Sequence, residues 1–128
     1  MKKVRLGRSG LMVSPLAIGT LTMSPLQKNL SPERGAEILL YAAEKGVNLF
    51  DTAQYYDTYE PLRLALKKRP DLLISTKSYA YDRAGAEAAF EEARRALDTD
   101  VIPIFLMHEK EDRLTLKGHR EAFDFYLE

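Results

Sequence analysis

Four side chains able to exchange protons follow strand-like segments of the chain: Asp51, Tyr56, Lys77 and His108. The segments that precede them are apolar and span residues 47–50, 72–75 and 102–107. Because the carboxyl ends of parallel strands converge on one edge of an α/β sheet, we expect the four side chains to share one pocket.

Together these side chains could protonate an oxygen atom. The Tyr56 phenol titrates near ~10 in isolation, so it needs a neighbouring cation to exchange its proton at neutral pH. A buried Lys77 supplies that cation, and Asp51 keeps the ammonium charged. His108 can donate a hydrogen bond that orients a carbonyl oxygen. Such a site protonates oxygen while a hydride reaches carbon, and because no side chain carries a hydride, a nicotinamide is implied.

Each residue also has an ordinary structural explanation. Asp51 alone would cap a turn or a helix, and Tyr56 would pack within a tyrosine-rich loop. Lys77 would be a solvated strand end, and His108 a satisfied polar residue. The occurrence of complementary ionisable groups after three successive strands is what favours a shared site.

The elements that must position these residues alternate between strand and helix. Strand-like segments span 16–19, 47–50, 72–75 and 102–107, and their short apolar runs are typical of strands buried on both faces. Pro103 is expected to mark the beginning of the fourth strand or a bulge in it. Ahead of them, residues 4–13 predict a β-hairpin with a glycine-bounded turn.

Four helical patterns follow these strands. The first has an N-cap serine, an N1 proline and a closing glycine over residues 31–46. The second covers 60–70, the third surrounds 86–97, and the fourth begins near 117–119. The later two are expected to bury these side chains: Ala86, Ala89, Phe90, Ala93, Leu97, Ala122, Phe123, Tyr126 and Leu127.

Repeated strand–helix units predict a parallel sheet with right-handed crossovers. Two architectures use this pattern, an open doubly wound sheet and a (β/α) barrel. A complete eight-fold barrel needs roughly 250 residues, so 128 residues could supply only about half of one. We expect a single α/β domain, with residues 1–14 as a hairpin cap and 15–128 as four βα units.

The composition excludes several classes of protein. Lys+Arg and Asp+Glu both number 19, so no basic field is available for nucleic acid or anionic lipid. Cysteine is absent, which removes disulfides, thiol nucleophiles and iron–sulfur ligands and fits a reducing cytoplasm. No run approaches the ~18 apolar residues of a membrane span, and the charged start lacks the apolar region of a signal peptide. We expect a cytoplasmic protein that binds neither nucleic acid nor membrane.

Four motifs, in this order, resemble those of the aldo/keto reductase family. They are LGRSGLMVSPLAIGT at 6–20, DTA at 51–53 with Tyr56, STK at 75–77, and LMH at 106–108. The resemblance covers the whole chain. It implies half of a TIM barrel whose floor is closed by the hairpin, and NADPH-dependent reduction of an aldehyde or ketone to an alcohol.

The resemblance also implies a role for each site residue. Tyr56 would be the general acid/base, and Lys77 would lower the pKa of Tyr56. Asp51 would pair with Lys77, and His108 would orient the carbonyl. Three positions would approach the cofactor: Gly19, Thr20 and Asp51.

Some features depart from the family pattern. Asp57 stands where the family commonly has glycine after the tyrosine, and Pro103 replaces a residue that is usually acidic or hydrophilic. The later strands and loops that hold the nicotinamide amide, the pyrophosphate and the 2′-phosphate have no counterpart in this chain. The sequence therefore favours the catalytic half of such an enzyme, with a non-catalytic half-barrel or assembly module as the alternative.

A half-barrel would leave its first and fourth strands without partners. Their apolar residues include Leu16, Ile18, Ile104 and Leu106. Because soluble monomers rarely expose such edges, we expect self-association through them, with a homodimer as the favoured form.

Overall fold

The structure, a computed structural model, describes residues 1–128 as six β-strands and five α-helices. The strands are β1 Val4–Arg5, β2 Met12–Val13, β3 Ala17–Gly19, β4 Leu49–Asp51, β5 Leu73–Ser78 and β6 Ile104–Met107. The helices are α1 Pro32–Glu44, α2 Tyr59–Lys68, α3 Arg83–Leu97, α4 Arg113–Gly118 and α5 Arg120–Leu127. Short 3-10 turns lie at Leu21–Met23 and Gln54–Tyr56. None of the helices combines the length and the apolarity that a membrane crossing requires.

The order of the strands distinguishes between the two architectures. β3, β4, β5 and β6 form a four-stranded parallel sheet in which spatial order equals chain order. A doubly wound sheet would reverse its strand order at a switch point, whereas a (β/α) barrel adds each strand beside the previous one. The expected α/β fold, a hairpin followed by parallel strand–helix units of barrel type, is confirmed.

The strand register brings the ends of the central strands to one edge. Gly19 pairs with Asp51, and Asp51 pairs with Ser75. The third strand was expected to end at residue 75, but it continues to Ser78 because β6 pairs with it from Ser75 onwards. Lys77 therefore lies inside β5 rather than after it.

The hairpin lies at the opposite ends of the strands. β1 and β2 pair antiparallel, as expected. Asn48, directly before β4, accepts a hydrogen bond from the Ser14 amide (2.6 Å) and donates one to the Met12 carbonyl (2.9 Å). These bonds fix the hairpin at the amino ends of the strands, away from the candidate site.

Helices α1, α2 and α3 cover one face of the sheet. α1 begins with the expected cap, in which Ser31 Oγ accepts from the Arg34 amide at 3.2 Å. α3 is capped by Asp82, whose carboxylate accepts from the Gly85 amide at 2.8 Å. The core between these helices and the sheet contains fully buried side chains: Leu39, Phe50, Leu62, Ala93 and Leu97.

The other face of the sheet has no covering layer. Ala17 and Leu106 are exposed there, and Leu49, Leu73 and Ile104 are half-buried. Ile18 lies in the outer strand β3, as expected, but its side chain packs against the core on the helix side rather than lining the uncovered face.

The last part of the chain differs from the expected single helix. Two helices, α4 and α5, replace it, because Asp112 caps an extra turn by accepting from the Thr115 amide at 2.7 Å. Ala122 is buried as expected, but Leu127 is 70% exposed. Pro103 directly precedes β6, as expected for a strand start.

Candidate active site

The pairing of Asp51 with Lys77 is set by the strands that carry them. Asp51 lies opposite Ser75 in the register of β4 and β5, and Lys77 projects from the same face two residues later. Lys77 Nζ lies 2.7 Å from Asp51 Oδ2 and also donates to the Thr52 carbonyl oxygen at 2.7 Å. The Lys77 side chain is 14% exposed, so the ammonium is largely removed from water and is held by two oxygen acceptors.

Tyr56 reaches this pair from the loop that follows β4. It ends a 3-10 turn, and Asp57 then adopts a left-handed conformation with φ 52°. Glycine favours that region and aspartate tolerates it, which explains how Asp57 serves where the family commonly has glycine. Lys77 Nζ lies 5.4 Å from the centroid of the Tyr56 ring.

His108 completes the group from the end of β6. Its amide donates to the Ser78 carbonyl at 2.8 Å, and its Nε2 lies 3.4 Å from the Tyr56 hydroxyl. The Nδ1 atom is buried and has no hydrogen-bond partner. Because a buried N–H without a partner is rarer than a lone pair without one, we assign the proton of the neutral ring to Nε2. In that tautomer the N–H is directed toward Tyr56.

The pKa values of Tyr56 and His108 shift in opposite directions. Burial, reinforced by the negative charges of Asp51 and Glu109, raises the pKa of Tyr56. The expected lowering by Lys77 is therefore not the net result: the ammonium is bound to Asp51 and the Thr52 carbonyl and faces the ring. Burial lowers the pKa of His108, which keeps the imidazole neutral at neutral pH.

The three positions predicted to contact a cofactor differ in their exposure to solvent. Gly19 is exposed at the end of β3, and a Cβ there would meet no heavy atom within 4 Å. Asp51, beside it, is 38% exposed. Thr20, by contrast, is fully buried, and its hydroxyl bonds Thr58 and the Asp51 carbonyl. Its side chain therefore lies beneath the site and has no surface for a nucleotide.

Two residues that the sequence did not single out lie at the site: Tyr79 contacts it, and Thr58 lies beneath it. The Tyr79 ring stacks on the His108 ring, with centroids 4.3 Å apart and planes at 25°. Thr58, two residues after Tyr56, bonds Thr52 and Thr20. The only sequence signal for Tyr79 was its position two residues after Lys77, and none distinguished Thr58 from an ordinary helix cap.

The aldo/keto reductase family model matches residues 15–125 of this chain. The chain belongs to the aldo/keto reductase family. Solved aldo-keto reductases share its fold. A Pseudomonas aeruginosa protein described as an aldo-keto reductase is 27% identical over 98% of this chain, with a TM-score of 0.85. AKR11C1 from Bacillus halodurans, in a holo form, is 26% identical over 97%, with a TM-score of 0.75.

A third aldo-keto reductase structure, from Bombyx mori, is a complex with NADP. It is 22% identical over 98% of this chain, with a TM-score of 0.71. The match covers 53% of the Pseudomonas protein, 45% of the Bacillus protein and 47% of the Bombyx protein. This chain thus spans about half the length of these relatives, and its fold matches part of an aldo/keto reductase barrel.

The strand ends of this chain leave space beside Gly19 and Asp51 in which a nicotinamide could lie. A Cβ at the exposed Gly19 would meet no heavy atom within 4 Å, so a flat ring could approach beside Asp51. The hydroxyl of Tyr56 and the Nε2–H of His108 lie at the same edge of the sheet. Gly19, Asp51, Tyr56 and His108 would therefore surround the reactive end of the cofactor.

Proposed function

We propose that this chain carries the proton-donating site of an NADPH-dependent carbonyl reductase, which converts an aldehyde or ketone to an alcohol. The observation that supports this most directly is the 3.4 Å separation of the Tyr56 hydroxyl and His108 Nε2, beside the Lys77–Asp51 pair. Two hydrogen-bond donors converge there on a space that a carbonyl oxygen could enter. The hydride for the carbonyl carbon is the contribution of the reduced nicotinamide.

The residues divide the proton chemistry among them. His108 donates its Nε2–H to the carbonyl oxygen and orients it. Tyr56 then transfers its hydroxyl proton to the same oxygen, so that the alcohol forms as the hydride reaches carbon. The resulting phenolate lies near the Lys77 ammonium, and Asp51 balances that charge.

The raised pKa of Tyr56 keeps its hydroxyl protonated at neutral pH, as a proton donor in the reductive direction requires. A raised pKa also makes the phenol a weaker acid, so the transfer depends on the Lys77 ammonium stabilising the phenolate as it forms. The neutral imidazole of His108, whose pKa lies below its ordinary value, can donate a hydrogen bond without repelling the neighbouring Lys77.

Loss of NADPH absorbance in the presence of a simple aldehyde, such as 4-nitrobenzaldehyde, tests this function. We expect carbonyl-dependent oxidation of NADPH, and a Tyr56→Phe rate lower by on the order of a hundredfold or more. Tyr55→Phe is the matched control, because Tyr55 is exposed and makes no hydrogen bond in the site. Equal rates for the two variants, or no carbonyl-dependent oxidation at millimolar NADPH, would contradict the proposal.

Cofactor affinity provides a separate measurement. Because the chain spans about half of its relatives, we expect NADPH to bind this chain far more weakly than it binds a complete barrel. Titration of nucleotide fluorescence measures this affinity. Tyr56→Phe should leave it largely unchanged, whereas micromolar or tighter binding would indicate that a second chain supplies part of the site.

A non-catalytic assembly module is the second candidate function. The uncovered face of the sheet favours it, because Ala17 and Leu106 are exposed there beside three half-buried apolar residues. A chain that associates through this face and shows no carbonyl reduction would fit that function. For either function the cysteine-free composition supports a cytoplasmic location.

A further inference from the structure

Three buried threonines form a connected group beneath the candidate site, which we term the threonine cluster: Thr20, Thr52 and Thr58. Their exposed fractions are 0%, 0% and 2%. Thr58 Oγ1 lies 2.7 Å from Thr20 Oγ1 and 2.8 Å from Thr52 Oγ1. Thr58 is therefore the member that joins the other two.

The directions of these hydrogen bonds are fixed by counting protons. The Thr20 hydroxyl donates to the Asp51 carbonyl oxygen at 3.2 Å, so it must accept from Thr58. Thr58 then has no second proton and must accept from Thr52. The series runs from Thr52 through Thr58 and Thr20 to Asp51, and every hydroxyl proton has an acceptor.

Thr58 takes part in this cluster instead of capping the helix that it precedes. It occupies the N-cap position of α2, where threonine is favoured because its hydroxyl can accept from a helix amide. Here its side chain makes no capping bond. A residue suited to capping has its hydroxyl directed instead toward the strand ends that carry the site.

The cluster holds both sides of the loop that carries Tyr56. The bond between Thr52 and Thr58 joins the two ends of residues 52–58. Thr52 is also tied to β5, because its amide donates to the Ser75 carbonyl at 2.8 Å. Its own carbonyl oxygen is the second acceptor of Lys77 at 2.7 Å.

We propose that Thr58 is a positioning residue of the proposed carbonyl-reducing site, on whose existence this role rests. Its hydroxyl bonds Thr52 and so joins the two ends of the loop that carries Tyr56. Through Thr52 it also fixes the position of the carbonyl oxygen that accepts from Lys77. Thr58 touches neither Tyr56 nor Lys77 through these bonds and acts through Thr52.

Thr58→Val tests the role, because valine keeps the shape and removes the hydroxyl. The readouts are hydrogen exchange of the Tyr56 amide and NMR titration of the Tyr56 phenol, assigned with Tyr56→Phe. We expect exchange at Tyr56 to accelerate about tenfold or more (about 1.4 kcal/mol per tenfold). As the loop opens to water, the raised pKa of Tyr56 should return toward its ordinary value.

Three other variants separate positioning from general stability. Thr58→Ser restores the hydroxyl and should restore both readouts. Thr76→Val removes another fully buried hydroxyl, bonded to Tyr59 at 2.9 Å, and should leave the Tyr56 readouts unchanged. If Thr58→Val does not fold, Thr52→Val removes the other hydroxyl of the same Thr52–Thr58 hydrogen bond. It should give the same changes in Tyr56 amide exchange and in the Tyr56 pKa.

The outcomes remain distinct from those of the activity test, since neither readout requires turnover. Matching changes in Thr58→Val and Thr76→Val, or acceleration spread evenly along the chain, would overturn the positioning role. If the chain reduces carbonyls, Thr58→Val should lower kcat several-fold with little change in KM, and Thr58→Ser should recover it. An unchanged kcat in a variant whose loop has opened would also overturn it.

Discussion

His108 has a buried ring nitrogen that no other group in the protein satisfies. Nδ1 has no partner, and the imidazole is covered by the stacked Tyr79 ring. Protonation would place a charge and an unpartnered N–H in this covered position. The groups facing the ring carry both signs: Glu109 and Asp51 favour the imidazolium, whereas burial, Lys77 and Lys110 oppose it and prevail. The site thus keeps a neutral donor beside Tyr56.

A pH-dependent loss of stability should follow from this histidine. Its folded-state pKa lies below the ordinary value of about 6.5. The unfolded chain therefore binds this proton more readily than the folded chain does. The contribution of His108 to folding stability is complete above its pKa in the unfolded chain. It is lost as pH falls through its pKa in the folded protein. We expect an NMR midpoint for His108 below that of free histidine, with His119→Gln used to assign the signals.

Urea unfolding at several pH values between about pH 7 and about pH 5 gives the corresponding change in the free energy of unfolding. His108→Gln should show a flatter dependence on pH in this window than the unmodified protein. A His108 midpoint at or above the ordinary value would contradict the expected burial effect.

The Asp51–Lys77 pair should contribute measurably to stability although Asp51 is 38% exposed. Asp51→Asn removes the negative charge and leaves the Lys77 ammonium with neutral acceptors alone, so we expect a loss of about 1 to 2 kcal/mol, reduced by solvent screening. A double-mutant cycle with Lys77→Met measures the coupling in urea unfolding. Asp71→Asn, which breaks the exposed Arg69–Asp71 pair, is the control and should cost less than Asp51→Asn, because water screens both of its charges. Equal losses for the two asparagine variants would contradict this expectation.

At the scale of elements, the contact between α1 and α2 depends on a glycine inside a helix. A Cβ at Gly35 would lie 2.8 Å from Pro61 Cβ and 3.7 Å from Met23 Sδ. Glycine is unfavourable in helix interiors, so its presence here indicates that close approach of α2 matters more than helix propensity. Since α2 follows the Tyr56 loop, this contact also fixes the element on which that loop ends.

Gly35→Ala should therefore destabilise the protein. The clash with Pro61 is expected to outweigh a helix-propensity gain of about 1 kcal/mol and to leave a net loss of about 1 to 2 kcal/mol. Gly118→Ala in α4 is the matched control, because its Cβ would meet no atom within 4 Å. That variant should be neutral or stabilising by up to about 1 kcal/mol in thermal or urea unfolding. Stabilisation by both alanines would show that α1 and α2 separate easily.

The sequence predicted most elements because their local signals agree with the fold. Ser31 and Pro32 mark the start of α1, and Pro103 marks the start of β6, because caps and prolines act within a few residues. The extension of β5 to Ser78 could not be predicted, since its polar residues resemble a loop until β6 supplies partners. The exposure of Leu127 likewise depends on how α5 packs, which helical periodicity alone does not determine.

For the site, residue type and strand position predicted the grouping but not the fine contacts. Asp51 and Lys77 meet because register fixes which side chains share a face. The raised pKa of Tyr56 depends on burial and on Glu109, a residue distant in sequence. Thr20 is fully buried and bonds Thr58, a residue at a helix N-cap position that makes no capping bond, and no local sequence signal indicates this pairing.

At the scale of the molecule, the sheet ends in two unpaired strands. β3 and β6 are its outer members, and the face lined by Ala17 and Leu106 has no covering layer. Beside β6, an apolar groove of about 580 Å³ extends the exposed surface and is lined in part by Phe90, Phe105 and Phe125. Such edges and faces favour association, because pairing satisfies the backbone groups and burial removes apolar area from water.

We propose that a second copy of this chain covers these edges. Two four-stranded sheets contain the eight strands of a closed barrel, with β6 of each copy beside β3 of the other. A two-fold axis along the barrel would relate the copies. Both hairpins would then compete for the same barrel floor. A swapped or rearranged dimer would avoid that competition while still pairing the same strand edges.

Light scattering at micromolar concentration should therefore show a homodimer. Leu106→Lys places a charge on the uncovered face, where Leu106 is 44% exposed, and should shift the protein toward the monomer by at least tenfold in Kd. Leu114→Lys is the control, because Leu114 is 79% exposed on α4, outside the sheet, and should leave the dimer intact. Hydrogen exchange of the β3 and β6 amides distinguishes edge pairing from other contacts, since only edge pairing protects them. A monodisperse monomer with protected edge amides would show that the chain covers its own edges, and an equal response to both lysines would place the interface elsewhere.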